Sequence, residues 1–194
     1  VNQTSAQHPG EKALVASILD GNRQAFATII KNTEALVAQI VFKMIPDAEE
    51  RKDVVQDIYL KAFHHLPGFQ FKSKLSTWIA QIAYNTCLHY LRKKKPFLLH
   101  DHEQWETHNE QAGTTPHPEA ALFQKELVAV LAAEIDQLPP VYKTIITLYH
   151  NEELSYEEIA TITQLPQGTL KSYLFRARKT LKDKLLLRYK NNGL

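Results

Sequence analysis

Cysteine is almost absent. A single thiol, Cys87, in 194 residues excludes an internal disulfide and a cysteine-based zinc site. Glycine is sparse, with six residues, and no alternating run of β-branched residues extends beyond a few positions, which argues against a sheet protein. Long apolar runs are missing too. Leu36 to Phe42 already contains Gln39 and is closed by Lys43, well short of the ~20 apolar residues that span a bilayer. The chain does not begin with the charged-then-apolar order of a signal peptide, so the cytoplasm is the expected location. What remains is rich in Leu, Ala, Ile, Lys and Gln, and 44% of it is hydrophobic. That is enough for one medium core or two small ones, and it points to an all-α protein.

The formal charge of +2 hides an uneven distribution. Arg92, Lys93, Lys94 and Lys95 form one basic cluster. Lys171, Arg176, Arg178, Lys179, Lys182, Lys184, Arg188 and Lys190 form another, against the lone acid Asp183. Residues 96 to 117 carry Asp101, Glu103, Glu106 and Glu110 with no Lys or Arg. Basic helices are commonly just solvated faces, so charge by itself is a modest pointer to nucleic acid. Motifs must decide.

Local signals divide the chain. Residues 1 to 10 are expected to be disordered. Helices are expected over Glu11 to Leu19, Asn22 to Met44, Asp47 to Leu66 and Ser76 to Lys95, separated by Gly21, by Pro46 with Asp47 as a cap, and by Pro67-Gly68. Residues 96 to 117 combine Pro96, Gly113 and Pro116 with polar residues and little periodicity, the composition of a flexible linker. Helical patterning resumes near Glu119 and breaks at Pro139-Pro140. The expected architecture is therefore two small helical domains, 11 to 95 and 118 to 194, joined by an acidic linker.

In the second half, Ser155-Tyr156-Glu157-Glu158 fits a capping box, and Ile159, Ala160 and Ile162 give the helix that follows an apolar face. Leu165-Pro166 reads as a tight turn into a helix over Gln167 to Leu187. There Leu170, Leu174, Ala177, Leu181 and Leu185 recur at spacings of three and four, leaving Lys171, Ser172, Arg176 and Lys179 on other faces. This is the layout of a helix-turn-helix, whose second helix reads base edges with its early residues and holds phosphates with nearby cations. An ordinary helical hairpin with a solvated basic face would show the same pattern.

The strings Leu-Pro-Pro-Val-Tyr-Lys (138 to 143), Ser-Tyr-Glu-Glu-Ile-Ala (155 to 160) and Leu-Pro-Gln-Gly-Thr-Leu-Lys-Ser-Tyr-Leu-Phe-Arg-Ala-Arg-Lys-Thr-Leu (165 to 181) resemble, in order and spacing, those of extracytoplasmic-function sigma factors. The resemblance implies that Gln167, Gly168, Thr169, Lys171, Ser172 and Arg176 lie at the −35 promoter element. Two positions depart from the family: Gln164 stands in the turn where glycine is frequent, and Tyr173 where arginine is common. If Gln164 is left-handed, the turn carries mild strain.

In the first half, Asp53 to Phe63 turns Val55, Ile58, Tyr59 and Ala62 toward a core and stacks Asp53, Asp57 and Lys61 on another side. It resembles the family's polymerase-binding helix, which makes Asp53, Gln56 and Asp57 candidate contacts to core RNA polymerase. Phe69 to Trp78, then Ile79 to Asn85 and the basic end at Arg92, resemble the family's −10 recognition loop and helix. Holding an opened strand needs cations for phosphates and a place for an extruded base. Lys72, Ser73, Lys74, Asn85, His89 and Arg92 are the candidate −10 contacts, while Trp78 and Phe63 are expected to be mainly core. Phe71 and Lys72 replace the small and acidic residues common in this loop. The family also implies promoter DNA and a membrane-linked anti-sigma factor as partners.

His100, His102, His108 and His117 lie near Asp101, Glu103 and Glu106, but their spacing lacks the rigid helix on which His-Glu-x-x-His presents its ligands, so no metal or cofactor is expected. No phosphate loop or Gly-x-Ser-x-Gly nucleophile motif occurs, and an enzyme is not expected. The rival is a helix-turn-helix regulator acting on its operator without being a polymerase subunit. It accounts for residues 155 to 187 but not for the Asp53 helix followed by the Thr77-Trp78 loop.

Overall fold

The structure, a computed structural model, describes residues 9–94 and 120–191. The expected linker over 96–117, Lys95 and the clustered histidines lie outside the described residues, as do residues 1–8. Among the described residues there are eight α-helices and no strand. The first four are α1 (Pro9–Leu19), α2 (Phe26–Met44), α3 (Ala48–His65) and α4 (Leu75–Lys94); the others are α5 (Ala120–Asp136), α6 (Pro140–His150), α7 (Tyr156–Thr163) and α8 (Gln167–Asn191). Helix α1 takes in Pro9 and Gly10, and α8 runs four residues past its expected end.

The caps form as the local chemistry dictates. Asn22 Oδ1 accepts from the Ala25 amide at 3.3 Å in a 3₁₀ turn that leads into α2. Asp47, in extended conformation, accepts from the Glu49 amide at 3.0 Å, with Glu49 and Glu50 in the first turn of α3 facing its dipole. Pro140 occupies the first turn of α6, where a missing N–H costs nothing.

Helix α2 is the axis of the first half. Arg23–Met44 is long and apolar enough to cross a membrane by length and composition, yet here α3, α4 and α6 pack around it. Ile29, Val37, Ile40, Val41 and Met44 are buried, and Thr33, also buried, donates to Ile29 O at 2.8 Å and shares a 3.1 Å hydrogen bond with Tyr59. On α3 the buried set is Val54, Ile58, Tyr59 and Ala62; Val55, expected in the core, is only half-buried because the stripe is rotated toward Val54. Phe63 stands edge-on to Phe26 at 5.1 Å but keeps 37% exposure.

In the second half α6 is the buried element: Val141, Tyr142, Ile145, Ile146 and Leu148 are all core. One side of α6 meets α8 and another meets α2, while α7 lies against α4. The two helical groups thus share one apolar core, a feature the sequence pattern did not reveal.

Candidate nucleic-acid interface

The capping box at the start of α7 is complete. Ser155 Oγ accepts from the Glu158 amide at 3.2 Å, and Glu158 Oε2 accepts from the Ser155 amide at 3.0 Å. Burial pushes the Glu158 carboxyl up, but Lys74 and the Ser155 donors outweigh it and hold it below its ordinary value. Helix α7 ends at Gln164, left-handed at φ 58° and ψ 22°. The Thr163 hydroxyl donates to Ile159 O at 2.7 Å and accepts from the Leu165 amide at 3.4 Å, tying the turn to the helix it follows.

Helix α8 is held by Leu170, Leu174, Ala177 and Leu181, each at most 5% exposed. That anchorage turns Gln167, Gly168, Lys171, Ser172 and Arg176 into solvent, with Thr169 half-buried. A Cβ on Gly168 would meet nothing, so nothing inside the described chain requires glycine there. The sequence reading overlooked Phe175. It is 68% exposed next to Arg176 and one turn beyond Lys171. The signal was available, since Phe175 falls outside the Leu170, Leu174, Ala177, Leu181 stripe.

Tyr173, where the family commonly has arginine, faces inward. Its ring stacks on Tyr142 at 4.7 Å. Arg178 is also committed within the protein: its Nε donates to His150 Nε2 at 3.2 Å and its guanidinium lies 5.0 Å from the Tyr149 ring, which in turn packs on Tyr156 at 5.0 Å. Accepting that bond requires a neutral imidazole, and burial together with the Arg178 charge lowers the His150 pKa.

In the first half, Phe69 forms the floor of the 69–74 loop, with Phe71 at 4.6 Å and Trp78 at 5.0 Å from its ring. Phe71 takes a left-handed φ of 54°. This aromatic floor leaves Lys72 and Lys74 exposed and Ser73 half-buried, with the Ser73 hydroxyl donating to Lys74 O at 3.3 Å. The Lys74 ammonium pairs with Glu158 Oε1 of α7 at 2.8 Å. On α4, His89 and Arg92 are exposed and Asn85 is half-buried.

Asp53, Gln56 and Asp57 lie exposed on α3, with Asp57 paired to Lys61 at 2.6 Å. A groove of about 330 Å³ between α3 and α4 is lined by Asp53, Asp57, Lys61, Thr86, His89 and Lys93. Residues expected to meet polymerase and a residue expected to meet DNA therefore share one cleft. Leu60, one turn beyond Gln56 and 52% exposed, extends the acidic face with an apolar patch that the sequence reading did not mark. Among the described residues no group of three His, Cys, Asp or Glu side chains is placed to hold a metal ion.

Comparison with known proteins identifies the family. The family model for Sigma-70 region 2 matches residues 29–97, and that for Sigma-70 region 4 matches residues 129–181. The chain is 33% identical over 182 residues to the RNA polymerase sigma-H factor of Pseudomonas aeruginosa, covering 91% of this chain and 93% of that protein. It is 32% identical to the ECF RNA polymerase sigma-E factor of Escherichia coli K12 (90% and 94% covered) and 30% identical to the ECF RNA polymerase sigma factor SigW of Bacillus subtilis (90% and 96% covered). Its fold is similar to that of CnrH, solved in complex with the cytosolic domain of CnrY, with a TM-score of 0.62 at 21% identity over 90% of this chain and 96% of that one. A helix-turn-helix behind a region 2 bundle defines a transcription-initiation factor of the sigma type. The chain belongs to the extracytoplasmic-function RNA polymerase sigma factor family, and the rival reading as a free-standing operator-binding regulator falls.

Proposed function

We propose that this sigma factor binds core RNA polymerase through Asp53, Gln56 and Asp57 on α3. Lys72, Ser73, Lys74, Asn85, His89 and Arg92 meet the −10 element, and Gln167, Gly168, Thr169, Lys171, Ser172 and Arg176 meet the −35 element, with Phe175 joining them. The working units are residues 11 to 95 and 118 to 194, with 96 to 117 as the connector. The observation that carries the reading is the exposed polar side of α8, kept outward by four buried apolar anchors. The chain itself catalyses nothing: it positions polymerase and assists opening of the duplex, in the cytoplasm.

Control by an anti-sigma factor is supported by two structural relatives. CnrH was solved with CnrY, and the sigma factor RpoE of Bartonella quintana, similar in fold with a TM-score of 0.59 at 24% identity over 82% of this chain and 96% of that one, with the anti-sigma factor NepR. Reconstitution tests the function. Purified protein mixed with core polymerase should give transcripts from defined start sites that core enzyme alone does not give. Specific DNA binding that is complete without polymerase, with no gain in initiation, overturns it.

A further inference from the structure

Helix α4 begins without a cap of its own. The first amides of a helix have no acceptor within it and carry the positive end of its dipole, so a serine, threonine or carboxylate is the favoured neighbour. Lys74 stands there instead. Its side chain offers no acceptor and its charge is unfavourable at that end of the dipole, while the Ser73 hydroxyl is turned to donate to Lys74 O at 3.3 Å. The acceptor comes from 64 residues away: Glu11 Oε2 of α1 takes the Leu75 amide at 3.2 Å.

Glu11 reaches that amide because it rides the inward face of α1. Val15 and Ile18, one and two turns further on, are 3% and 5% exposed and bury that face in the core. Lys12, next in sequence and exposed, places its ammonium 5.8 Å from the centre of the Phe71 ring, within cation–π range. Phe71 is the residue of the 69–74 loop that most needs support. A bulky side chain at φ 54° keeps that backbone only where its surroundings fix it. Phe69 packs on it at 4.6 Å, and α1 engages the segment at both ends, the loop at Phe71 and the helix at Leu75.

We propose that α1 is a brace for the −10 reader and that Glu11 is a positioning residue for promoter recognition. Glu11 meets no DNA itself. By fixing the first turn of α4, with Lys12 fixing Phe71, it sets where Lys72 and Ser73 stand when bases are presented to them. Helix α1 lies ahead of residues 29–97 matched by the region 2 model, so the family match alone gives it no role. The inference rests on the −10 assignment proposed above.

Hydrogen exchange of the Leu75 amide in the full free chain reads the cap, and reconstituted transcription across single-base variants of the −10 and −35 elements reads the function. Glu11→Ala should raise Leu75 exchange roughly fivefold, the equilibrium equivalent of losing one cap. It should lower discrimination at one or two −10 positions by about two- to fivefold, no more than the cap is worth, and leave −35 discrimination and capture of core polymerase as in the wild type. Glu11→Gln keeps an oxygen at the same reach and should restore most of both losses. Glu11→Asp keeps the charge but falls one methylene short and should behave like alanine. Lys12→Ala should relax the −10 preference in the same direction with Leu75 protection unchanged.

Unchanged Leu75 exchange in a Glu11→Ala variant that keeps its helical circular dichroism overturns the proposal. So does raised exchange with wild-type −10 preference, and so does an equal loss at both elements, which marks a general weakening of the fold. Lys72→Ala separates the inference from the reading beneath it. If that variant also leaves −10 preference untouched, the −10 assignment fails and the positioning role with it, while the cap measured at Leu75 stands. If it relaxes the preference where Glu11→Ala does not, only the brace falls.

Discussion

Replacing Gln164 with glycine should make the protein more stable. Gln164 ends α7 in the left-handed region at φ 58° and ψ 22°, and its side chain is exposed with no hydrogen bond of its own described. For an L-residue that conformation costs roughly 1–2 kcal/mol through the approach of Cβ to the carbonyl oxygen. Glycine removes the clash but gives the unfolded chain more freedom, worth roughly 0.5–1 kcal/mol in the opposite direction. The difference leaves a net gain between roughly 0 and 1.5 kcal/mol, about 0.75 kcal/mol at the midpoint. In a chain of this size that corresponds to a rise of ~1–4 °C in Tm. Urea and thermal unfolding of Gln164→Gly beside the wild type, followed by far-UV circular dichroism, measure it, with Gln164→Ala as a control that keeps the Cβ. A loss of stability for Gln164→Gly, or an equal change for Gln164→Ala, would show that the turn is not strained in the way the geometry implies.

Asp53→Ala with Asp57→Ala should weaken capture of core polymerase at least several-fold while moving stability by less than about 1 kcal/mol, because the Asp57–Lys61 pair is a solvent-exposed one; unaltered capture in a pull-down removes that surface from the interface. Alanine at Gln167, Lys171 or Ser172 should lose ~1–3 kcal/mol of discrimination at a single −35 position, whereas alanine at Arg176 should weaken all sequences alike. Reconstituted transcription across single-base variants reads both patterns, and wild-type preference in all four folded mutants rules out α8 as the reader. Burial and Arg178 lower the His150 pKa, so the unfolded chain binds more protons than the native one in that range. The His150 contribution is therefore present above about pH 6.5 and lost as pH falls through its lowered native value. His150→Gln, which can still accept from Arg178, should flatten the acid limb of stability between pH 7 and 5, and an unchanged limb would mean that this histidine does not contribute to it.

The elements themselves were legible because their caps are local. Asp47, Pro140 and Ser155 each act within three residues of the helix they start, and all three helices begin where those residues place them. The leucine stripe of α8 was equally clear, since the spacing of three and four is written in one segment. Two kinds of information were not local. The rotation of α3 that buries Val54 over Val55 depends on what packs across from it, and a window on α3 alone fits both. The shared core depends on α6 finding α2, α7 finding α4 and Lys43 finding Asp136, partners far apart in the chain with no periodic signature. Among the expected contact residues, exposure separates Lys171, Ser172 and Arg176 from half-buried Thr169, a distinction that residue type could not make.

The basic end of the chain is less free than its composition suggests. Arg178 is engaged by His150 and Tyr149, while Lys184 and Arg188 both reach Glu134 of α5, at 3.5 Å and 2.9 Å. An ammonium or guanidinium already matched by a carboxylate displaces few of the cations condensed on DNA when it reaches a phosphate, since the anion it abandons must be neutralised in turn. The counterions released on binding should therefore number fewer than the Lys and Arg residues along α8. At about 0.9 per phosphate neutralised, a plot of log affinity against log salt counts the cations that α5 leaves available.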